Sequence, residues 1–390
     1  MIPSQLTAFR RDRFTWVAYL LLGYYAYYLN APGVAMPLLR ADLALSYTVG
    51  GLHVSALALG MVVAGLVTAP LVRRFGRRAI IWGGSSGMTL GALLFSVGRH
   101  SALTLPAIGF MGFAGTTLLA TLQSSLSDHH GPYRALALTE ANVIASATTI
   151  MAPLFVGGFA RTGLGWRTAF VLPTLAWAIL ALRARSQQIP ETAQDSSGAH
   201  PAASLPRVFW LYWLALVFGV AVEWSIISWG ADFLVAAGAL ARADASLVMS
   251  AFFVAMLIGR ALGTTLARRA EIVPRLLGAM VTGLAGFLIF WQLPHPVLRI
   301  GGLFIAGLGI ANMFPYLLSI GMDVAGTNTD LGSARLTVGA GSAILLAPLT
   351  LGWIADRAGI ASAYQLVAVL FGLAIAVVLL TRRLESRSGR

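Results

Sequence analysis

The chain has 390 residues, 58% of them hydrophobic and 11% charged, with a mean hydropathy of +0.79. A soluble domain carries about 25% charged residues, so most of this surface is built to meet lipid. The absence of cysteine excludes disulfides, thiolate metal ligands and cysteine nucleophiles. The net charge of +13 comes wholly from arginine, since lysine is absent, and in so apolar a chain it reads as loop decoration rather than a nucleic-acid surface.

Apolar runs of spanning length, about 20 residues, fall at 14–39, 47–72, 79–98, 102–126, 136–160 and 168–182. The stretch SQQIPETAQDSSGAHPAASLPR, residues 186–207, then breaks the hydrophobicity and reads as a flexible cytoplasmic linker. A second set of runs follows at 209–237, 245–267, 276–292, 300–322, 333–354 and 362–381. The expected fold is an all-α membrane protein of twelve transmembrane helices in two six-helix bundles, residues 1–185 and 208–390. Twelve crossings leave both termini on one side. That side holds 19 arginines against 7 on the other, which places both termini in the cytoplasm. The first apolar run flows into ordinary sequence without a small-residue cleavage site, so it reads as a span rather than a cleaved signal.

The two halves echo one another at an offset of 195 residues. APLFVGG at 152–158 returns as APLTLGW at 347–353, and Gly112 with Asp128 returns as Gly307 with Asp323. VRRFG at 72–76 has its counterpart in ARRAE at 267–271. Such a parallel repeat is the arrangement of transporters that rock one bundle against the other.

The RRFGRR loop after the second run, GWRTAF at 165–170 and the doubled six-span pattern resemble the major facilitator superfamily across essentially the whole chain. That family carries Gly-x-x-x-Asp-Arg-x-Gly-Arg-Arg between spans two and three. Here Arg74, Gly76, Arg77 and Arg78 match, while Ala69 and Arg73 replace the glycine and the aspartate. GWIADRAG at 352–359 is a similar stretch between spans eleven and twelve. The span-five antiporter motif is half present in Ala152, Pro153, Gly157 and Gly158, and the span-four arginine motif is missing. GVAVEWSIISWGADFL in span seven and GLGIANMFPYLLSIG in span ten are similar to fucose-permease-like and other sugar or cyanate porters. The resemblance implies a bacterial inner-membrane location and alternating access to a central cavity.

Glu223 is the leading site candidate. It lies at the centre of span seven, where a charge costs roughly 2.5–3.5 kcal/mol on insertion scales, and a carboxyl there is suited to proton coupling. Asp232, nine residues on and close to the outer end, is expected to be a hydrated outer-gate residue or a cap rather than part of a central site. The offset carries Glu223 onto Tyr28, so Tyr24, Tyr27, Tyr28 and Asn30 are expected to line the cavity from span one, with hydroxyls and rings suited to a sugar. An aromatic belt at the interface is the competing reading. Further lining candidates are Gln123 in span four, Glu140 and Asn142 in span five, Trp229 in span seven, and Asn312, Phe314 and Tyr316 around Pro315 in span ten. His53 reads as a hydrogen-bonded packing residue. A cytoplasmic gate is expected from Arg74 or Arg77 with Asp128, and from Arg268 or Arg269 with Asp323.

Arg260 is the sole arginine inside a span and lies toward the cytoplasmic end, which leaves a carboxylate without a cation at the centre. Sites for anions generally place a cation there. The expected ligand is therefore a small neutral polar solute such as a sugar, moved with protons, with proton-driven efflux of cationic amphiphiles as the alternative. No cofactor or metal is expected, and no nucleic-acid partner. A membrane enzyme would need clustered catalytic side chains, and adjacent His129 and His130 are poorly spaced for ligation. The partners are then a solute, protons and the bilayer, with the chain acting as a monomer.

Overall fold

The computed structural model describes residues 9–184, 189, 205–266 and 271–387. Most of the linker, and with it Arg268 and Arg269, lies outside them. The first part of the chain forms α1 (Arg13–Leu43), α2 (Tyr47–Val97), α3 (Ser101–His130), α4 (Arg134–Arg161) and α5 (Thr168–Ala184). The second forms α6 (Arg207–Ala236), α7 (Arg242–Leu266), α8 (Ile272–Gln292), α9 (Pro296–Ile310), α10 (Met313–Ala325), α11 (Thr329–Ala358), α12 (Ile360–Ala363) and α13 (Gln365–Arg387).

Local chemistry sets several boundaries. Asp12 caps α1, its Oδ1 accepting from the Thr15 amide at 2.9 Å, and Ser46 caps α2 by accepting from the Val49 amide at 3.2 Å. Gly76 sits inside α2 at φ 79° and ψ 157°, a region essentially closed to side-chain-bearing residues, so α2 is two helices meeting at the motif glycine. The helix pair α9 and α10 is interrupted at residues 311–312, just before Pro315, which has no N–H to continue the ladder. Asn312 Nδ2 donates to the Gly259 carbonyl at 2.6 Å and ties the interruption to α7.

Eight helical stretches among the described residues are long and apolar enough to cross a membrane. This differs from the expected twelve for physical reasons. Two of the stretches, Tyr47–Val97 and Ser101–Arg161, each run through a bend or short turn and join two runs. α5, at 17 residues, falls short of spanning length. The tyrosine-rich α1 is not among the eight.

The helix boundaries repeat at the offset found in the sequence. Shifting α3, 101–130, by 195 gives 296–325, the start of α9 to the end of α10. The same shift carries 77–97, the second limb of α2, onto 272–292, the bounds of α8. Gly131 and Gly326, also 195 apart, both take positive φ, 46° and 59°, and each opens a three-residue 3-10 turn. Helices α2 and α3 pack together, as do α1 and α4; in the second part α8 and α7 flank α9, and α11 and α13 flank α6. The two parts meet mainly through α2 with α11 and α4 with α7, joined by α1 with α6. Exposed Leu59, Leu66, Leu175, Leu182, Val281 and Val297 turn outward, as expected of helices solvated by acyl chains.

Candidate functional site

Phe9 against His130 and Tyr133, and Arg77 against Asp128, group the start of the described chain with the turns at Gly76 and Gly131. Tyr212 against Glu385, and Phe209 and Ala325 beside Gly332, group its end with the turn at Gly326. At the opposite, far end, polar contacts join the two parts. Arg40 Nη1 of α1 meets Asp232 Oδ1 of α6 at 2.5 Å, with Asp232 only 4% exposed. The Arg40 guanidinium lies 3.4 Å from the centre of the Tyr47 ring, which packs against the Trp229 indole. Trp229 is fully buried and donates from Nε1 to the Pro348 carbonyl at 2.9 Å. The Asp356 carboxylate of α11 accepts from the Tyr47 and Thr48 amides, Arg161 of α4 pairs with Asp244 of α7 at 3.3 Å, and Ser55 donates to the Leu345 carbonyl. Asp232 is thus a buried ion-pair partner, not the hydrated gate residue expected from the sequence. Trp229 plugs this end instead of lining an open cavity, because its ring is wedged between α2 and α11.

Deeper in, Glu223 is half-buried on α6, and among the described residues its carboxylate has no hydrogen-bond partner and no ion pair within 4.0 Å. The cation that acts on it electrostatically is Arg260 of α7. Ile258 and Leu262 are exposed on the outer face of α7. A residue two positions from each, at about 100° per residue, lies on the opposite face. Arg260 accordingly turns inward, where Nη1 reaches Ser146 Oγ of α4 at 3.5 Å. A cation therefore acts on the Glu223 carboxylate, which corrects the sequence-based expectation of a carboxylate without one. Gln123 of α3 is likewise half-buried, with no hydrogen bond from its amide among the described residues.

The tyrosines of α1 are committed elsewhere. Tyr24 OH is 2.6 Å from Thr89 Oγ1, Tyr27 OH donates to the Ala169 carbonyl at 2.7 Å, and Tyr28 OH donates to the Phe170 carbonyl at 2.5 Å. All three are buried, and Asn30 is satisfied by the Ala26 carbonyl at 2.9 Å. These groups pin α1 to α2 and α5; a buried hydroxyl left without such a partner would carry a penalty of about 1–3 kcal/mol. In α10, Asn312 serves the helix interruption, Tyr316 OH reaches the Gly263 carbonyl at 3.4 Å with Arg275 over its ring, and Phe314 is exposed. His53 has both ring nitrogens engaged, by the Val49 carbonyl and Thr104 Oγ1.

At the terminal end, Arg77 Nη2 meets Asp128 Oδ2 at 2.5 Å, while the Arg74 guanidinium lies over the Phe75 ring. Asp323 is exposed at the end of α10. Glu140 is gripped by Arg11, Nε to Oε2 at 2.8 Å and Nη2 to Oε1 at 2.6 Å, and also accepts from Tyr19 OH. It fastens the start of α1 rather than facing a solute, and Asn142 turns to its own helix at the Leu138 carbonyl. Asp12 is held by the Thr15 hydroxyl and amide and by His129. Burial works against its charge, yet these hydrogen bonds prevail and hold its carboxyl below the ordinary range. The pentapeptide GGSSG at 83–87 spells a serine-nucleophile motif, but it lies within α2, with Ser85 buried and donating to the Trp82 carbonyl, and lacks the strand-to-helix elbow such chemistry uses.

Long apolar helices repeated in two similar sets define a multi-pass membrane protein. Residues 15–330 match the Major Facilitator Superfamily, and the chain belongs to that family, whose members are transporters and not enzymes. It is 24% identical over 350 residues to an uncharacterised MFS-type transporter of Yersinia pestis, across 86% of this chain and 87% of that one. Its fold is similar to that of a bacterial homologue of the human lysosomal transporter Spinster, in an inward-facing and occupied conformation, with a TM-score of 0.74 at 18% identity over 96% of this chain and 98% of that one. The Escherichia coli fucose:proton symporter FucP, in an outward conformation, gives a TM-score of 0.62 at 19% identity over 94% of this chain and 98% of the other.

Proposed function

We propose that the protein is a secondary transporter that moves a small polar, sugar-like solute with protons by alternating access, using Glu223 as the coupling carboxyl. The observation that carries this reading is the side chain itself: a half-buried carboxyl on α6 without a hydrogen-bond partner among the described residues. A packing carboxyl would be satisfied by neighbours. One that must take up and release a proton is better left accessible.

In this reading the chain crosses the membrane twelve times. Gly76 divides α2 into two passes, α3 and α4 make one each, α9 with α10 make one, and α12 with α13 make one. The bundles are residues 1–185 and 208–390, with 186–207 as the linker, and the arginine excess puts both termini in the cytoplasm of a bacterial cell. The polar contacts at the far end then close the outer side, with the cavity opening inward.

Arg260 shapes the substrate class. It acts on Glu223 and the two opposite charges balance one another, so, compared with a cationic amphiphile, the pair together better suits a neutral polar solute. Gln123 and Ser146 are the neutral groups that hydrogen-bond it. Arg77 with Asp128, which joins α2 to α3 within the first part, and Arg268 or Arg269 with Asp323 act at the inner gate by bracing the cytoplasmic end of each bundle, and a single chain contains the whole path. The test is uptake by proteoliposomes under an imposed pH gradient, after a thermal-shift screen of sugars, amines and organic acids has identified a stabilising solute. Accumulation that collapses with a protonophore is expected; accumulation indifferent to it would exclude proton coupling.

A further inference from the structure

The sealed far end carries a second feature that the sequence did not single out. Asp356 occupies the last turn of α11, where the negative end of the helix dipole makes a carboxylate unfavourable. Its hydrogen bonds come from the other part of the molecule. Oδ1 accepts from the Tyr47 amide at 2.7 Å and Oδ2 from the Thr48 amide at 2.8 Å. These are free N–H groups at the start of α2, where the dipole is positive. The carboxylate is misplaced on its own helix and well placed on its neighbour's.

The 195-residue offset exposes a counterpart. Asp356 corresponds to Arg161 at the end of α4, and the start of α2 corresponds to the start of α7. There Arg161 pairs with Asp244 of the first turn of α7 at 3.3 Å, both residues exposed. Each of these two charges suits its own helix, basic at a C-terminus and acidic at an N-terminus. The contact between them is a single surface ion pair.

We propose that these are two latches at symmetry-equivalent positions with unequal chemistry, and that Asp356, by capping α2 across the interface, is the stronger and biases the transporter toward the state with this end closed. The proposal rests on the alternating-access reading above. Closing the end gives the first amides of α2 a second acceptor beside its own cap Ser46, and opening it leaves those amides and the carboxylate to water. A cap contributes about 0.5–2 kcal/mol, roughly two- to thirtyfold in a population ratio. An exposed ion pair contributes about 0–1 kcal/mol, at most about fivefold.

The chain has no cysteine, so spin labels can be placed at Arg99→Cys and His295→Cys, two exposed loop positions at the far end, and the distance between them followed in lipid nanodiscs across pH. The parent protein should sample a short, closed distance and a longer, open one. Asp356→Ala should raise the open-to-closed ratio about tenfold, and Asp356→Asn, which keeps one acceptor oxygen, by a smaller factor. Arg161→Ala should move it less than Asp356→Ala. An unchanged ratio in Asp356→Ala, with the parent sampling both distances, would overturn the latch and leave alternating access standing. One fixed distance in every variant at every pH would overturn both. Size-exclusion profiles and melting temperatures matching the parent confirm that the variants are folded.

Discussion

Arg40 and Asp232 show how far apart in sequence a decisive pair can lie. They are 192 positions apart and meet at 2.5 Å with Asp232 almost wholly buried. Removing one partner from such a pair strands the other charge, at about 3–5 kcal/mol. Arg40→Leu should therefore lower the melting temperature of purified protein markedly, while Arg40→Leu with Asp232→Leu should recover most of the loss. A double variant as unstable as the single one would show that the pair is not the cause. Glu223 was legible in the sequence because a carboxylate inside an apolar run is chemically out of place. Arg40 was not, since a loop-proximal arginine looks the same whether it snorkels to water or reaches a partner on another helix. The α1 tyrosines misled for a related reason: a ring with a hydroxyl suits a sugar and a buried carbonyl equally, and only packing reveals which one it meets.

Hydropathy located the helices closely, with runs at 102–126 and 136–160 becoming α3 at 101–130 and α4 at 134–161. It could not foresee that α2 bends at Gly76 without a loop, because the bend depends on one backbone angle. Gly76→Ala places a β-carbon at φ 79°, ψ 157°, which should cost about 1–3 kcal/mol. Thermal unfolding in detergent would register this, and an unaltered midpoint would contradict it. The start of α1 makes a pH prediction. Because the Asp12 carboxyl is held below its ordinary range, its contribution is fully present above the unfolded carboxylate range near 3.9 and is lost as pH falls through the lowered value. The hydrogen-exchange protection factor of the Thr15 amide, which Asp12 caps, should be high at neutral pH and fall on acidification below about pH 4, and Asp12→Asn should abolish that acid step. Persistence of the step in Asp12→Asn would assign it to another group.

For the molecule as a whole, the repeat was the most informative part of the sequence, since an offset seen in a few short motifs returned as helix boundaries and paired positive-φ glycines. What the repeat could not convey is the chemistry that breaks it. Equivalent positions hold Asp356 and Arg161, or Glu223 and Tyr28, and it is these departures that give one part of the molecule a titrating group and a cap to offer the other. The central claim is that Glu223 carries the transported proton. Glu223→Gln keeps the size and polarity of the side chain and removes only its proton exchange, so solute-dependent proton flux and solute counterflow measured on the same proteoliposomes test it directly. Counterflow should persist in the variant while proton flux and gradient-driven accumulation disappear. Proton flux of parental size in Glu223→Gln would contradict the account.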